Sequence, residues 1–261
     1  LGVAGTATAT VISQACAALG CITFAWLKNP YFKLKREHWK ISRPIITKCI
    51  RIGIPVAIQN SMIAVSMVAL QSVVNSFGKT AVAAFTATSR VEQLIQQPFN
   101  SLGAAISTFS GQNMGANKLD RVKRGYHRSI LIIAVFSFIA LLAAQLGGRA
   151  IMQIFVKDEA VIALGSRAIR ITSCMYFPLG MIYITRGLLN GTGDAFYSMI
   201  NGFVEVIGRF GFSSVLAMLP VFGVWSVWFT SGFTWTITAV ASVIRYKQGK
   251  WQTKSLVKHA A

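Results

Sequence analysis

The sequence predicts an all-α integral membrane protein with about seven transmembrane helices. Hydrophobic residues make up 54% of the 261 positions and charged residues only 13%, an apolar excess that an ordinary soluble domain does not need. Apolar runs of roughly 20 residues recur along the chain, the length with which a helix crosses a bilayer core of about 30 Å. The basic residues gather between these runs. Together these observations indicate a polytopic helical bundle.

Short turns or basic segments separate the predicted spans. We predict the spans at about 1–26, 50–77, 81–110, 130–147, 168–189, 196–219 and 222–244. The stretch from Arg149 to Glu159 is amphipathic and mixed in charge, which suits a helix end or a short interfacial helix. Asn190–Asp194 reads as a glycine-rich turn. It lacks the lysine of a phosphate-binding loop, so a nucleotide site is not expected there.

The net charge of +19 would, taken alone, be compatible with nucleic-acid binding. However, 18 of the 26 basic residues lie in three segments, at 28–51, 118–128 and 245–258. With seven spans, all three segments fall on one side of the membrane, as the positive-inside rule requires of the cytoplasmic side. We therefore expect a multi-pass protein of the cell membrane with a cytoplasmic C-terminus, contact with membrane lipid and no nucleic-acid partner.

The sequence offers no pattern for a metal site or a catalytic centre. Cys16, Cys21, Cys49 and Cys174 are scattered, without the short pairing of metal ligands. The seven acids include no close pair apart from Asp158 and Glu159, so a membrane-embedded enzyme lacks a plausible set of reacting groups. We expect no cofactor other than a coupling ion.

The third predicted span is too polar to face lipid along its whole surface. Ionisable side chains are costly in hydrocarbon and usually face a cavity or a partner, and Pro98 removes one helical hydrogen bond near the polar stretch. We predict that the span lines a substrate or ion cavity, although a structural hydrogen-bond network between helices would also explain it. The candidate cavity residues are Glu92, Gln59, Ser89, Gln93, Gln96 and Asn100.

The sixth predicted span carries its own carboxylate. Glu205 and Arg209 are four residues apart, in the order that favours an ion pair on one helix face. We interpret them as a structural ion pair rather than a proton-coupling site, because a paired carboxylate is already neutralised where it lies.

Four motifs, in their order and spacing, resemble the C-terminal half of the multidrug and toxin extrusion (MATE) family of secondary transporters. They are Gly53-Ile54-Pro55 with Gln59, the hairpin at 77–84, Gly111-Gln112-Asn113-Met114-Gly115-Ala116 before a basic segment, and the stretch 186–194. The resemblance implies the C-terminal part of a twelve-helix, two-lobe transporter. In that reading, 1–27 is the last helix of a truncated N-terminal lobe, 28–49 a basic cytoplasmic linker, 50–244 the six-helix C-terminal lobe and 245–261 a basic cytoplasmic tail.

The resemblance also implies a function: secondary active antiport of cationic or amphipathic organic compounds against protons or sodium ions. Some members of the family carry a carboxylate on their seventh span, but the matching span here, 50–77, has no acid, which makes Glu92 the available substitute. Arg90, Arg186 and Arg209 leave open a lipid-linked sugar flippase of the same superfamily. A non-transporting membrane subunit is the third alternative.

Overall fold

The computed structural model describes residues 2–29 and 41–254, which divide into two compact units, Leu1–Thr47 and Lys48–Ala261. These ranges contain eight α-helices and no strand. The helices are α1 Gly2–Lys28, α2 Arg43–Asn75, α3 Lys79–Gly115, α4 Leu119–Phe155, α5 Glu159–Ser173, α6 Tyr176–Thr192, α7 Ala195–Met218 and α8 Ser226–Lys247. The all-helical fold predicted from the sequence is therefore confirmed for these residues.

Within residues 2–29 and 41–254, four helical segments are long and apolar enough to cross a membrane by length and composition alone. They are Ala4–Lys28, Arg43–Asn75, Leu119–Phe155 and Gly223–Lys247. The polar α3 does not meet this criterion, and α5 and α6, with 15 and 17 residues, are each shorter than a single span requires. These helices are partly shielded from lipid by the helices they pack against. Such packing is needed because polar groups inside a membrane must form their hydrogen bonds within the protein.

In the first unit, α1 satisfies its own polar groups. The hydroxyls of Thr8, Thr10 and Ser13 each donate to the backbone carbonyl four residues earlier. Such bonds let a helix carry serine and threonine in hydrocarbon without an external partner.

In the second unit, α6 is the central helix and packs against α3, α4, α7 and α8. The closest approach is between α3 and α6, where glycines on both helices let the backbones meet. A Cβ at Gly187 would overlap the carbonyl of Gly103, and one at Gly191 would overlap that of Ser107. Gly187 and Gly191 form the small-xxx-small spacing that permits such contact in membranes.

The main apolar core lies around this crossing, where α3, α4, α6 and α8 meet. Its largest fully buried side chains are aromatic or branched, and they include Phe99, Tyr126, Ile133, Tyr176, Ile182 and Leu188. The ring of Phe99 contacts that of Phe136 edge to face, with centroids 5.2 Å apart. This core holds the polar residues of α3 at a fixed position against α5 and α6.

The fifth predicted span, 168–189, is wrong in its bounds, because the structure forms two helices there. A joint at Cys174 and Met175 separates α5 from α6, and α5 begins at Glu159. Pro178 lies in the first turn of α6, where its missing N–H costs nothing, but its ring would clash with the carbonyl of residue 174 in a continuous helix. The proline thus explains why one helix ends and the next begins.

Several predicted segments between spans are helical. Helix α2 starts at Arg43 rather than at 50, and α4 starts at Leu119 rather than at 130, so basic residues occupy the ends of long helices. Helices of 33 and 37 residues are longer than a bilayer core, and their charged ends can therefore lie outside it. Positions 30–40 of the predicted linker and 255–261 of the predicted tail lie outside the described residues.

The structure shows a helix end after Arg149, one of the two forms predicted there, and makes the turn predicted at 190–194 shorter. Helix α4 continues to Phe155, and Asp158 caps α5 by accepting hydrogen bonds from the backbone N–H groups of Ala160 and Val161, at 2.9 and 3.1 Å. Helix α6 continues to Thr192, and only Gly193 takes the left-handed conformation, with φ 91°, that turns the chain into α7.

Candidate functional site

Glu92 is a buried carboxylate on α3 with hydroxyl groups of α5 and α6 nearby. The Thr172 hydroxyl, near the end of α5, lies close to the carboxylate and donates a 3.4 Å hydrogen bond to the backbone carbonyl of Ile169. Tyr176, the first residue of α6, and Arg209 on α7 interact with it electrostatically. Among the described residues no cationic nitrogen lies within 4 Å of Glu92. Glu92 therefore lies beside the joint between α5 and α6 without a direct ion pair.

The neighbours of Glu92 are fixed by contacts between helices. Thr88, one turn earlier on α3, accepts a 3.2 Å hydrogen bond from the indole nitrogen of Trp228, a buried residue of α8. The hydroxyl of Tyr176 is buried and has no hydrogen-bond partner in the described part of the chain. An unsatisfied buried hydroxyl beside a carboxylate is available to bind water or an ion. The site thus combines one buried acid with two nearby hydroxyl groups.

The other candidates on α3 divide into enclosed and exposed residues. Gln96 accepts a 2.9 Å hydrogen bond from the Tyr183 hydroxyl on α6, and Ser89 is half-buried. Gln93 and Asn100 are exposed on the helix surface within this unit. The structure therefore brings Glu92 and Gln96 to the α6 side of α3, and it leaves Gln93 and Asn100 outside this enclosed site.

Gln59 of α2 does not join this group, because it binds α7 instead. Its Nε2 donates to the backbone carbonyl and the hydroxyl of Ser198, at 2.6 and 3.1 Å. Gly202, one turn further along α7, leaves room for it, since a Cβ there would come 3.1 Å from the Gln59 side chain. The geometry gives Gln59 a role in holding α2 against α7.

Glu205 is held between two arginines. Its Oε1 lies 3.0 Å from Nη2 of Arg209, one turn along α7, and its Oε2 lies 2.6 Å from Nη2 of Arg186 on α6. All three side chains are buried or nearly so. The sequence interpretation did not include Arg186 in this cluster. Arg186 lies inside a predicted span, and an arginine in that position predicts a carboxylate partner.

A second ion pair that sequence reasoning missed joins the start of α7 to the end of α8. Asp194 Oδ2 accepts from Arg245 Nε at 2.8 Å, and the guanidinium also lies 4.6 Å from the centre of the Tyr197 ring. Asp194 is only 4% exposed. The pair closes one end of the α7–α8 hairpin.

The described residues contain no group of three or more His, Cys, Asp or Glu side chains that could hold a metal ion. Within these residues Glu92 is therefore a single carboxylate near hydroxyl groups rather than one member of a cluster of metal ligands.

Comparison with known proteins gives a consistent result across most of the chain. The family model MatE matches residues 55–219. The probable multidrug resistance proteins YoeA and YpnP, both from Bacillus subtilis (strain 168), are 27% and 24% identical to the chain. The two alignments cover 99% and 98% of this chain but 56% and 57% of the relatives. The chain thus spans about half the length of these relatives.

The same fold occurs in a solved structure. An outward-facing multidrug resistance MATE family transporter of the MOP superfamily superposes with a TM-score of 0.88 at 19% sequence identity. The superposition covers 97% of this chain and 57% of that one. At this identity the similarity establishes the fold.

Proposed function

The chain belongs to the MatE family, and we propose that it forms half of a secondary active antiporter. The proposed antiporter exports cationic or amphipathic organic compounds in exchange for protons or sodium ions. The relatives are transporters rather than enzymes, and we propose no catalytic reaction and no cofactor besides the coupling ion.

The observation that carries the proposal is the setting of Glu92. Of the two buried carboxylates within predicted spans, Glu205 is neutralised by two arginines, whereas Glu92 has no direct ion pair among the described residues and lies close to the Thr172 hydroxyl. A membrane carboxylate without an ion pair is costly to keep. Exchange of a proton or a cation would explain why such a carboxylate is present, because its charge must change during the transport cycle.

The proposal includes a partner lobe, since alternating access requires two bodies that move about a shared site. We propose that residues 50–244 form the C-terminal lobe and that 1–27 belong to an N-terminal lobe of the same transporter. The segments 28–49 and 245–261 would be its basic cytoplasmic linker and tail. The half-length match to the relatives supports this arrangement.

A lipid-linked sugar flippase is the second candidate, and one observation favours it. Arg90 is exposed next to Gln93 on α3, and its guanidinium lies 3.5 Å from the Gln93 amide oxygen. An exposed arginine would suit a phosphate-bearing substrate. Arg186 and Arg209 give weaker support, because Glu205 already binds both.

The test is Glu92→Gln in a transporter that contains this chain together with the proposed N-terminal lobe. We expect efflux of a cationic dye to fall by about tenfold, equivalent to about 1.4 kcal/mol, with unchanged expression. We also expect the remaining efflux to lose its dependence on pH or on sodium, because the exchangeable charge is gone.

Glu159→Gln is the matched control, because it removes an equal charge from an exposed pair with Arg149. It should leave dye efflux and its ion dependence intact. Unchanged efflux by the Glu92 variant across several pH values and sodium concentrations would remove Glu92 from the mechanism. Reduced export of an anionic lipid analogue by Arg90→Gln, with dye efflux intact, would favour the flippase.

A further inference from the structure

We propose that the groove between α3 and α4 binds one anionic phospholipid, with its phosphate among Arg121, Arg124 and Arg128. The groove has a volume of about 480 Å³ and opens on the surface of the bundle. One wall is apolar and comes from α3, and the other is basic and comes from α4. Besides the three arginines, its lining includes Leu102, Ala105, Ile106 and Phe109 of α3 and Gly125 of α4.

The three arginines form a continuous basic stripe. Positions 121, 124 and 128 are three and four residues apart, which places them on one face of α4, over about 10 Å of helix. Gly125 lies within the stripe, and the Phe109 ring packs so closely on it that a Cβ would overlap the ring. The missing side chain lets the Phe109 ring, which lines the groove from α3, pack directly against α4 between the arginines.

The positive charge of the stripe is not neutralised within the protein. All three arginines are exposed, and among the described residues none of them forms an ion pair or a side-chain hydrogen bond, not even with the adjacent Asp120. A guanidinium binds phosphate oxygens with two parallel hydrogen bonds. Three such groups on one helix face are complementary to a phosphate diester with its negative charge.

The apolar surface deeper along the same helices favours a lipid over a soluble anion. A second cavity, of about 340 Å³, also lies between α3 and α4 and has apolar walls that include Val91, Leu94 and Ala143. Its α3 lining lies about 18 Å along α3 from that of the basic groove by the helical rise, on the same face of α3, and the cavity extends to Ile169 of α5. Half of a bilayer core is about 15 Å deep, so a molecule with a phosphate at one end and an acyl chain at the other matches both cavities.

The basic groove also lies where a headgroup would be. It adjoins the start of α4, in the basic segment that the charge distribution assigns to one membrane surface. Basic pockets between helices at that surface attract anionic headgroups, and each basic residue contributes about fivefold in affinity. Three arginines would together favour an anionic lipid by about 100-fold over a zwitterionic one.

The test measures binding of individual lipids to the delipidated chain in an uncharged detergent by native mass spectrometry. The probes are phosphatidylglycerol, phosphatidylcholine and glycerol phosphate, which has the same phosphate but no acyl chain. We expect phosphatidylglycerol to bind about 100-fold more tightly than phosphatidylcholine. Glycerol phosphate should compete poorly. Equal binding of the two lipids, or equal binding of glycerol phosphate, would overturn the proposal.

Two variants locate the site. The triple variant Arg121→Gln, Arg124→Gln, Arg128→Gln should remove the preference for phosphatidylglycerol. Ala105→Trp, which fills the groove without changing charge, should weaken phosphatidylglycerol binding as well. Circular dichroism melting establishes that each variant is folded. If Ala105→Trp is folded and binds normally, the lipid lies elsewhere.

The matched control removes three basic residues outside the groove, Lys247→Gln, Lys250→Gln and Lys254→Gln, all of which are exposed. It should keep the lipid preference within about twofold, because these lysines do not line the groove. A loss equal to that of the arginine variant would show a diffuse charge effect and would overturn the assignment of a specific site. The outcome is independent of transport, because it measures binding alone.

Discussion

At the scale of single residues, the two buried carboxylates within predicted spans are held in opposite ways. Glu205 binds two guanidinium groups on two helices, while Glu92 lies near hydroxyls of α5 and α6. Charges in hydrocarbon are expensive unless they are paired. Glu205 is therefore part of the scaffold, and the assignment of Glu92 as the exchangeable group stays a prediction that the dye-efflux experiment tests.

Replacing Glu205 should destabilise the protein strongly. Glu205→Gln removes the carboxylate that compensates Arg186 and Arg209, and an uncompensated buried charge typically costs about 3–5 kcal/mol. We expect a marked fall in the melting temperature of the purified protein, followed by tryptophan fluorescence in detergent.

The exposed pair of Arg149 and Glu159 supplies the comparison for this prediction. Glu159→Gln should change stability by less than about 1 kcal/mol, because surface ion pairs contribute little. If both variants melt at the same temperature as the unmodified protein, the cluster around Glu205 does not hold α6 against α7.

How much of the site could be predicted from the sequence depends on distance along the chain. The contact between Glu205 and Arg209 follows from one helical turn. Arg186 lies 19 positions before Glu205, and Trp228 lies 140 positions after its partner Thr88, and no local pattern links such residues. The sequence alone does not distinguish a polar residue that faces a cavity from one that binds a neighbouring helix, so it places Gln59 with Glu92. The packing shows that Gln59 binds α7.

At the scale of helices, the contact between α3 and α6 depends on glycine. Gly103 and Gly187 face each other so closely that the backbone of one helix touches the other. Without hydrophobic attraction between helices in lipid, such close packing is a main source of association. This crossing keeps Gln96 within reach of Tyr183 and positions the α3 side of the site.

Adding a methyl group at this crossing should separate the helices. Gly187→Ala would overlap the Gly103 carbonyl and the Ile106 side chain, and overpacking of this kind costs about 1–3 kcal/mol. We expect a lower melting temperature in detergent.

Gly211→Ala on α7 is the control, because a Cβ at that position would have no heavy atom of a neighbouring element within 4 Å. Alanine there should be neutral or slightly stabilising, since it favours the helix. Equal melting temperatures for the two alanine variants would contradict the close-contact explanation.

Helix existence could be predicted from the sequence better than helix ends. Apolar runs indicate the spans. Basic residues such as Arg43 and Arg121 suggest linkers between spans, although both lie within helices. Charge shows where a helix leaves hydrocarbon rather than where it stops. The joint at Cys174 contains no glycine that would mark a helix end. The residue that indicates it is Pro178, four positions later, because proline cannot donate the hydrogen bond from residue i to residue i−4.

At the scale of the whole molecule, the distribution of basic residues predicts the orientation in the membrane. We expect a green fluorescent protein fused to the C-terminus to fluoresce in the cytoplasm, because the basic segments favour that side. The fusion should be resistant to protease added from outside intact cells.

An accessibility tag inserted in the loop at Val156–Asp158 provides the opposite readout. This loop lies between α4 and α5 and falls on the external side in the predicted topology. The tag should be labelled from outside intact cells. Labelling of the C-terminus from outside, with protection of the loop tag, would invert the topology.

The joint between α5 and α6 places Glu92 where two differently held helices meet. Helix α6 touches α3 through its backbone, whereas α5 packs mainly against α4 and also against α3. Thr172 lies two residues before the joint at Cys174 and Met175 and close to Glu92. A change in the angle between α5 and α6 would therefore move this hydroxyl relative to the carboxylate, which would link helix movement to the affinity of Glu92 for a proton or cation.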